Sequence, residues 1–290
     1  IIIFFNRLDI LMKRFFYFFL ALIALFSCSR DNGINGNDSG HRMLLIGNSF
    51  FKPYANHLDE VAPDAGYTNH NSTLVFRGGD NGWAISFWND STSAAHQEIK
   101  AAFDDGDIES FGMTAGSSPD NRTEGFIEWI QYGLHENPNM KVFISIPPID
   151  FPANWNDTAQ YYGFNSIASF YDYFVNTIIH ESIVDPLRTE FPNTTIFTIP
   201  TGWAAVNLLQ MKQDGLLLDS INLSGPQATS LFTDVKGHQG QIIVEAGTLM
   251  WMKAIYQEDL GTNSYPTGFN TDLHGLADQI MSDHDPLYNQ

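Results

Sequence analysis

Cysteine is nearly absent. The 290 residues hold one, Cys28, so no intrachain disulfide forms and no zinc or iron–sulfur site can be built from clustered thiolates. Basic residues are scarce as well. Fourteen Lys and Arg stand against 33 Asp and Glu, a net charge of −19 at pH 7. Phosphate backbones are bound through clustered Lys and Arg, so nucleic acid is excluded as the main partner. Charge alone does not hold such a chain to an anionic membrane. The apolar run at residues 15–26 has twelve residues, short of the roughly 20 that a membrane-spanning helix needs. What is present is an ordinary hydrophobic content of 43%. That suits a globular core and not a disordered chain. The length suggests one or two domains, with a core large enough to need no disulfide staples.

The first forty residues read as an address. Met12-Lys13-Arg14 form a charged start, the run FFYFFLALIALF follows, and Ser27-Cys28 ends it. Met12 is a credible translation start, which makes residues 1–11 upstream sequence. Leu25-Phe26-Ser27-Cys28 resembles the bacterial lipobox, in which the Cys is lipidated and becomes the mature N-terminus. An ordinary secretory signal with a chance Cys is the alternative. Lipidation implies a bacterial cell-envelope location, on the outer membrane or the periplasmic face, with the membrane as a partner through the anchor. Residues 28–40 are rich in Gly, Asn, Asp and Ser and make a flexible tether. Processing at Cys28 removes Arg7, Lys13, Arg14 and Asp9, three positive charges and one negative, leaving −21.

From His41 onward, short apolar runs alternate with amphipathic stretches. Strands are expected at 43–47, 73–77, 108–114, 141–146 and 194–199. Helices are expected near 51–63, 83–103, 122–136, 158–185, 201–212 and 239–257. Near-continuous apolar strands alternating with helices predict an α/β fold, a three-layer α/β/α sandwich around a parallel sheet. The main domain spans 41–259, and 260–290 reads as a C-terminal extension on the surface. In such folds ligands bind at the carboxyl ends of the strands.

Two loops there carry chemistry. Gly47-Asn48-Ser49-Phe50 ends the first strand and exposes a hydroxyl beside a helix N-terminus, a sound place for a nucleophile. A serine there also serves as a plain helix cap. Thr233-Asp234-Val235-Lys236-Gly237-His238 precedes the last helix. His238 suits a general base and Asp234 its orienting acid, although a turn with a surface His has the same composition.

Together these blocks resemble the SGNH (GDSL-type) serine hydrolases over residues 41–257. Gly47-Asn48-Ser49-Phe50 is similar to that family's Gly-Asp-Ser block, with Asn for Asp. Leu231–Tyr256 is similar to its C-terminal block. The resemblance implies a flavodoxin-like SGNH fold, with Ser49 as nucleophile, His238 as base and Asp234 as acid. It implies that oxyanion donors accompany the Ser49 N–H. Gly79 is the first choice in Arg77–Gly82, and Gly78 the next. Asn121 stands where the family has a Gly-x-Asn-Asp block, which is not intact here; the residue also suits a helix cap. The family spaces acid and base as Asp-x-x-His, whereas this chain has one residue more. Gly237 would absorb it, or another acid such as Asp219 would orient His238. No metal or cofactor is implied. Asp283-His284-Asp285 has ligand chemistry but no fourth ligand in view. The implied activity is hydrolysis of O-acyl esters, preferably O-acetyl groups on carbohydrate, with a small-molecule or polysaccharide ester as partner. The rival is a non-catalytic glycan-binding lipoprotein on a degenerate fold of this kind. Phe50, Phe51 and Tyr54 flank the nucleophile, Trp83, Trp88 and Trp155 fall near the same face, and Pro147–Pro152 is expected to form one wall of the cleft.

Overall fold

Runs of Leu, Ile, Val and Phe bounded by turn residues set five strands, as β-branched and aromatic chains pack well on a pleated surface. In the computed structural model, which describes residues 39–290, they are β1 (Arg42–Gly47), β2 (Asn71–Phe76), β3 (Ser110–Thr114), β4 (Lys141–Ser145) and β5 (Ile196–Ile199). The sheet order is β2-β1-β3-β4-β5 and every pairing is parallel. β3 is buried along its whole length, and β1 and β4 are buried beyond their first residues. Central strands of a parallel sheet need apolar residues on both faces.

The helices are α1 (Lys52–Asp64), α2 (Ala84–Asn89), α3 (Ala94–Asp104), α4 (Phe126–Glu136), α5 (Trp155–Tyr161), α6 (Ile167–Tyr173), α7 (Asp185–Glu190), α8 (Gly202–Gln213), α9 (Gln241–Tyr256) and α10 (Leu273–Asp283). A π-wound stretch, Phe174–Val184, joins α6 to α7. Helices α1, α8, α9 and α10 pack on one another, and α2, α3, α4 and α7 form a second connected group. The result is a three-layer α/β/α sandwich. α9 is buried nearly all round, which fits its almost unbroken apolar sequence.

Three expectations of helix extent change. The stretch 83–103 is two helices, because Ser93 interrupts it and caps α3 by accepting from the His96 N–H at 3.2 Å. The stretch 158–185 breaks between α5 and α6, where Ser166 caps the second helix. Residues 260–290 contain α10, whose Leu273, Ala277, Ile280 and Met281 are buried. The tail also covers the β5 edge. Arg188 donates to the Ile196 carbonyl from Nε and Nη2 and to Leu287 O from Nη1. Tyr288 stacks on His180 with ring centroids 3.6 Å apart. An open strand edge invites pairing with other chains, and these contacts close it.

β1 and β3 are neighbours while β2 lies on the other side of β1. The chain winds one way from β1 and the opposite way from β3. The crevice at that switch, at the strands' carboxyl ends, is where such sheets bind ligands. Ser49 follows β1 directly. A short parallel pair, β6 (Asn222–Ser224) and β7 (Ser230–Phe232), leads into the loop of His238.

Candidate active site

The chain leaves β1 through a tight turn. Asn48 is buried, its Oδ1 accepts from the Phe50 N–H at 3.0 Å, and its carbonyl accepts from the Phe51 and Lys52 N–H groups. Asn, where the resembled family has Asp, therefore fixes the turn that carries Ser49. The Ser49 N–H makes no hydrogen bond to a described residue. α1 follows, with a proline in its first turn, where the missing N–H is no loss.

The second loop is closed at its base by Thr233 N–H to His238 O at 2.8 Å and by Gly240 N–H to Leu231 O at 2.6 Å. Inside it, Asp234 Oδ1 accepts from the backbone N–H groups of Gly237 and His238 at 3.0 and 3.2 Å. Asp234 Oδ2 lies 2.5 Å from His238 Nδ1. His238 Nε2 lies 2.7 Å from Ser49 Oγ. The extra residue between acid and base is taken up by Gly237 at φ +101°, a backbone that glycine accepts without strain. A Cβ there would also lie 2.7 Å from Pro152 Cδ. Burial alone would raise the Asp234 carboxyl. The hydrogen bonds from His238 and Gly237 outweigh it and hold the group below the ordinary carboxylate range. Asp234 thus stays an anion facing the imidazole.

Two contacts tie the loops together. Phe50 stacks on His238 with ring centroids 4.9 Å apart and planes at 22°. Gln239, nearly fully buried, donates from Nε2 to the Phe50 carbonyl at 3.0 Å. Neither contact has a spacing rule in the sequence. The one signal for Gln239 is a polar residue between His238 and a deeply apolar helix.

Arg77–Gly82 is held against the nucleophile turn. The Arg77 N–H donates to Gly47 O at 3.1 Å. A Cβ on Gly82 would sit 2.7 Å from Gly47 O and 2.8 Å from Asn48 Cα. Gly82 is therefore the glycine of this loop that lies closest against the nucleophile turn. Gly79 has φ +58° with open space where a Cβ would stand, and Gly78 is extended with the same open space. Asn121 is exposed and accepts from Thr123 Oγ1 at 3.3 Å; the cap of α4 is Gly125 instead.

The wall after β4 meets the His238 loop. The Phe151 N–H donates to Lys236 O at 2.9 Å, and Asp150 Oδ2 lies 3.6 Å from Lys236 Nζ. Burial pushes the Asp150 carboxyl above its ordinary value, against the pull of Lys236 and His238. Trp155 Nε1–H donates to Ile149 O at 2.9 Å and pins the loop from beneath. Phe151 is left-handed at φ 58°, ψ 65°, and about half exposed. For a non-glycine residue that backbone costs roughly 1–3 kcal/mol.

Other sequence candidates fall elsewhere. Phe51 and Tyr54 are core residues against Trp251. Trp88 sits edge-on to Trp129, and Trp83 packs on Gly116. Asp219 does not orient His238; it accepts from the N–H groups and side chains of Asn270 and Thr271, clamping the C-terminal segment. His284 is buried on Thr198 at 2.9 Å, and the described residues contain no cluster fit to hold a metal. A cavity of about 480 Å³ lies between α6, α8 and α10, lined by Trp203, Asn207, Gln279 and Asp283 among others. It lies apart from Ser49 and offers no paired nucleophile and base. Cys28 lies outside the described residues.

No protein-family model and no curated protein matches the chain. Among solved structures it is similar to the periplasmic domain of a lipopolysaccharide acetyltransferase from Salmonella ser. Paratyphi A. Identity is 14%, the TM-score is 0.41, and the match covers 77% of this chain and 85% of that one.

Proposed function

We propose that this protein is a serine ester hydrolase of the SGNH type, acting on O-acyl esters of carbohydrate in the cell envelope. The observation that carries the reading is the unbroken line Ser49 Oγ, His238 Nε2, His238 Nδ1, Asp234 Oδ2, with steps of 2.7 and 2.5 Å. A hydroxyl is a weak nucleophile until a base stands within hydrogen-bond reach and a third group orients that base.

The reaction follows from the atoms. The Ser49 hydroxyl donates to neutral Nε2, while Nδ1–H donates to Asp234. As Oγ attacks the ester carbonyl, its proton passes to Nε2, and Asp234 stabilises the imidazolium. The carbonyl oxygen becomes an oxyanion held by the Ser49 N–H and an N–H of the Gly78–Gly79 turn. Asn121 is the further donor to test. Protonated His238 then gives its proton to the leaving alkoxide. Water, deprotonated by His238, releases the acid and restores Ser49. Preorganised donors at a developing oxyanion are typically the largest single contribution to such catalysis.

Turnover of 4-nitrophenyl acetate tests the reading. Ser49→Ala is expected to lower kcat by on the order of 10⁴-fold or more. Equal turnover by Ser49→Ala and wild type would refute it. Absence of turnover across a broad ester panel would favour the non-catalytic, glycan-binding reading.

A further inference from the structure

In the reaction above, the alcohol leaves by taking its proton from His238 Nε2. The leaving group must therefore stand beside the imidazole. Three residues outside the proton relay are joined to the loop that carries the imidazole. Lys236 is two residues before His238, and its Nζ lies 5.9 Å from the centroid of the Phe50 ring on which the imidazole stacks. Asp150 pairs with Lys236 at 3.6 Å. Phe151 is joined to Lys236 through its N–H.

We propose that Asp150, Phe151 and Lys236 form the subsite that reads the carbohydrate alcohol of the ester. The inference rests on the esterase reading and assigns the residues that hold the sugar at that same site. A carboxylate offers two acceptor oxygens and an ammonium three donors, a set suited to neighbouring hydroxyls. Phe151, about half exposed, offers an apolar face for the C–H side of a sugar ring. A lipid alcohol fits poorly, because covering the Asp150–Lys236 pair with hydrocarbon would strip its water without replacing the hydrogen bonds. Asp80, whose charge acts on Asp150, and the Asp234 carboxylate add negative charge around this pair, which suits an uncharged sugar better than a phosphorylated one.

The backbone agrees with a fixed position for the ring. Phe151 is one of two non-glycine residues with positive φ among those described. It precedes Pro152, which favours an extended backbone instead. The bonds to Lys236 O and from the Asn154 N–H, at 2.9 and 2.8 Å, hold the unfavourable conformation. An aromatic held this way on the rim loses little freedom when a ligand arrives.

The test compares two esters that share an acetyl group and differ in the alcohol: methyl 3-O-acetyl-glucopyranoside and 4-nitrophenyl acetate. For Asp150→Asn and Phe151→Ala, kcat/KM on the sugar ester is expected to fall at least about tenfold further than on the aryl ester, as when a site loses the groups that read its substrate. Phe151→Gly removes the ring while accepting the left-handed backbone. A selective loss shared by the Gly and Ala variants therefore belongs to the ring and not to loop collapse. Equal losses on both esters, or no loss on either, would overturn the subsite and leave the esterase standing. So would a wild type that cleaves the aryl ester and not the sugar ester. Undiminished turnover of both esters by Ser49→Ala would instead overturn the esterase reading itself.

Discussion

Gln239 shows how much of a site depends on a residue that does no chemistry. Its amide joins the carbonyl after Ser49 to the residue after His238, so it sets the distance between nucleophile and base. Gln239→Met keeps the volume and removes the bond. Misplacement by about 1 Å costs on the order of 100-fold in rate. We expect kcat to fall roughly 10- to 100-fold with KM nearly constant. Stability should drop by about 1–3 kcal/mol, as the buried Phe50 carbonyl loses its donor. Steady-state kinetics and thermal melts read both quantities, and a wild-type kcat in the variant would contradict the role. Ser49, His238 and Asp234 were legible in the sequence because each stands at a strand or helix boundary with the right neighbours. The extra residue between Asp234 and His238 was legible as a difficulty, and Gly237 as its remedy. Gln239 and Gly82 were not. A side-chain amide bond across 189 residues leaves no spacing behind, and a close approach of two backbones shows only once they are folded.

The two helices that follow nucleophile and base, α1 and α9, pack side by side. A buried ion pair joins them: His57 Nε2 lies 2.9 Å from Glu245 Oε2. Glu60 stands 3.1 Å from His57 Nδ1, and the Tyr265 hydroxyl 3.3 Å from Nε2. Burial would lower the imidazole's value, but the bonds and charges of Glu245 and Glu60 prevail and raise it. Its folded value therefore exceeds the unfolded one, about 6.5. The stabilisation is complete below about pH 6.5 and is lost as pH rises through the folded value. The Tm advantage of wild type over His57→Gln should shrink as pH rises above about 6.5. A constant or widening gap would exclude the pair as a titrating clamp. At this scale the sheet was legible, since fully buried parallel strands must read as apolar runs. The breaks at Ser93 and Ser166 were harder to place, because helical periodicity runs on across a cap. The turn residues of 260–290 drew attention away from α10, whose apolar positions are few.

For the whole molecule, the acidic balance and the lone cysteine belong together. Among the described residues no helix is long and apolar enough to cross a membrane. A chain of net charge −19 gains nothing from an anionic surface. The anchor we propose is acylation of Cys28, where each buried methylene contributes about 0.8 kcal/mol. Cys28→Ser is expected to move the protein from the membrane fraction to the soluble one, and retention would exclude acylation there. The C-terminal tail also serves the whole fold. His180 and His284, pushed down to about 3 and about 4 mainly by burial, stay neutral near pH 7 and share the Thr198 hydroxyl beneath it.

The central claim is that Ser49 is a nucleophile activated by His238. Labelling with a serine-directed fluorophosphonate, followed by mapping of the modified peptide, tests it most directly. The account predicts a single adduct on Ser49, absent in Ser49→Ala and formed far more slowly in His238→Gln. An adduct on another serine, or ester turnover without any adduct at Ser49, would contradict it.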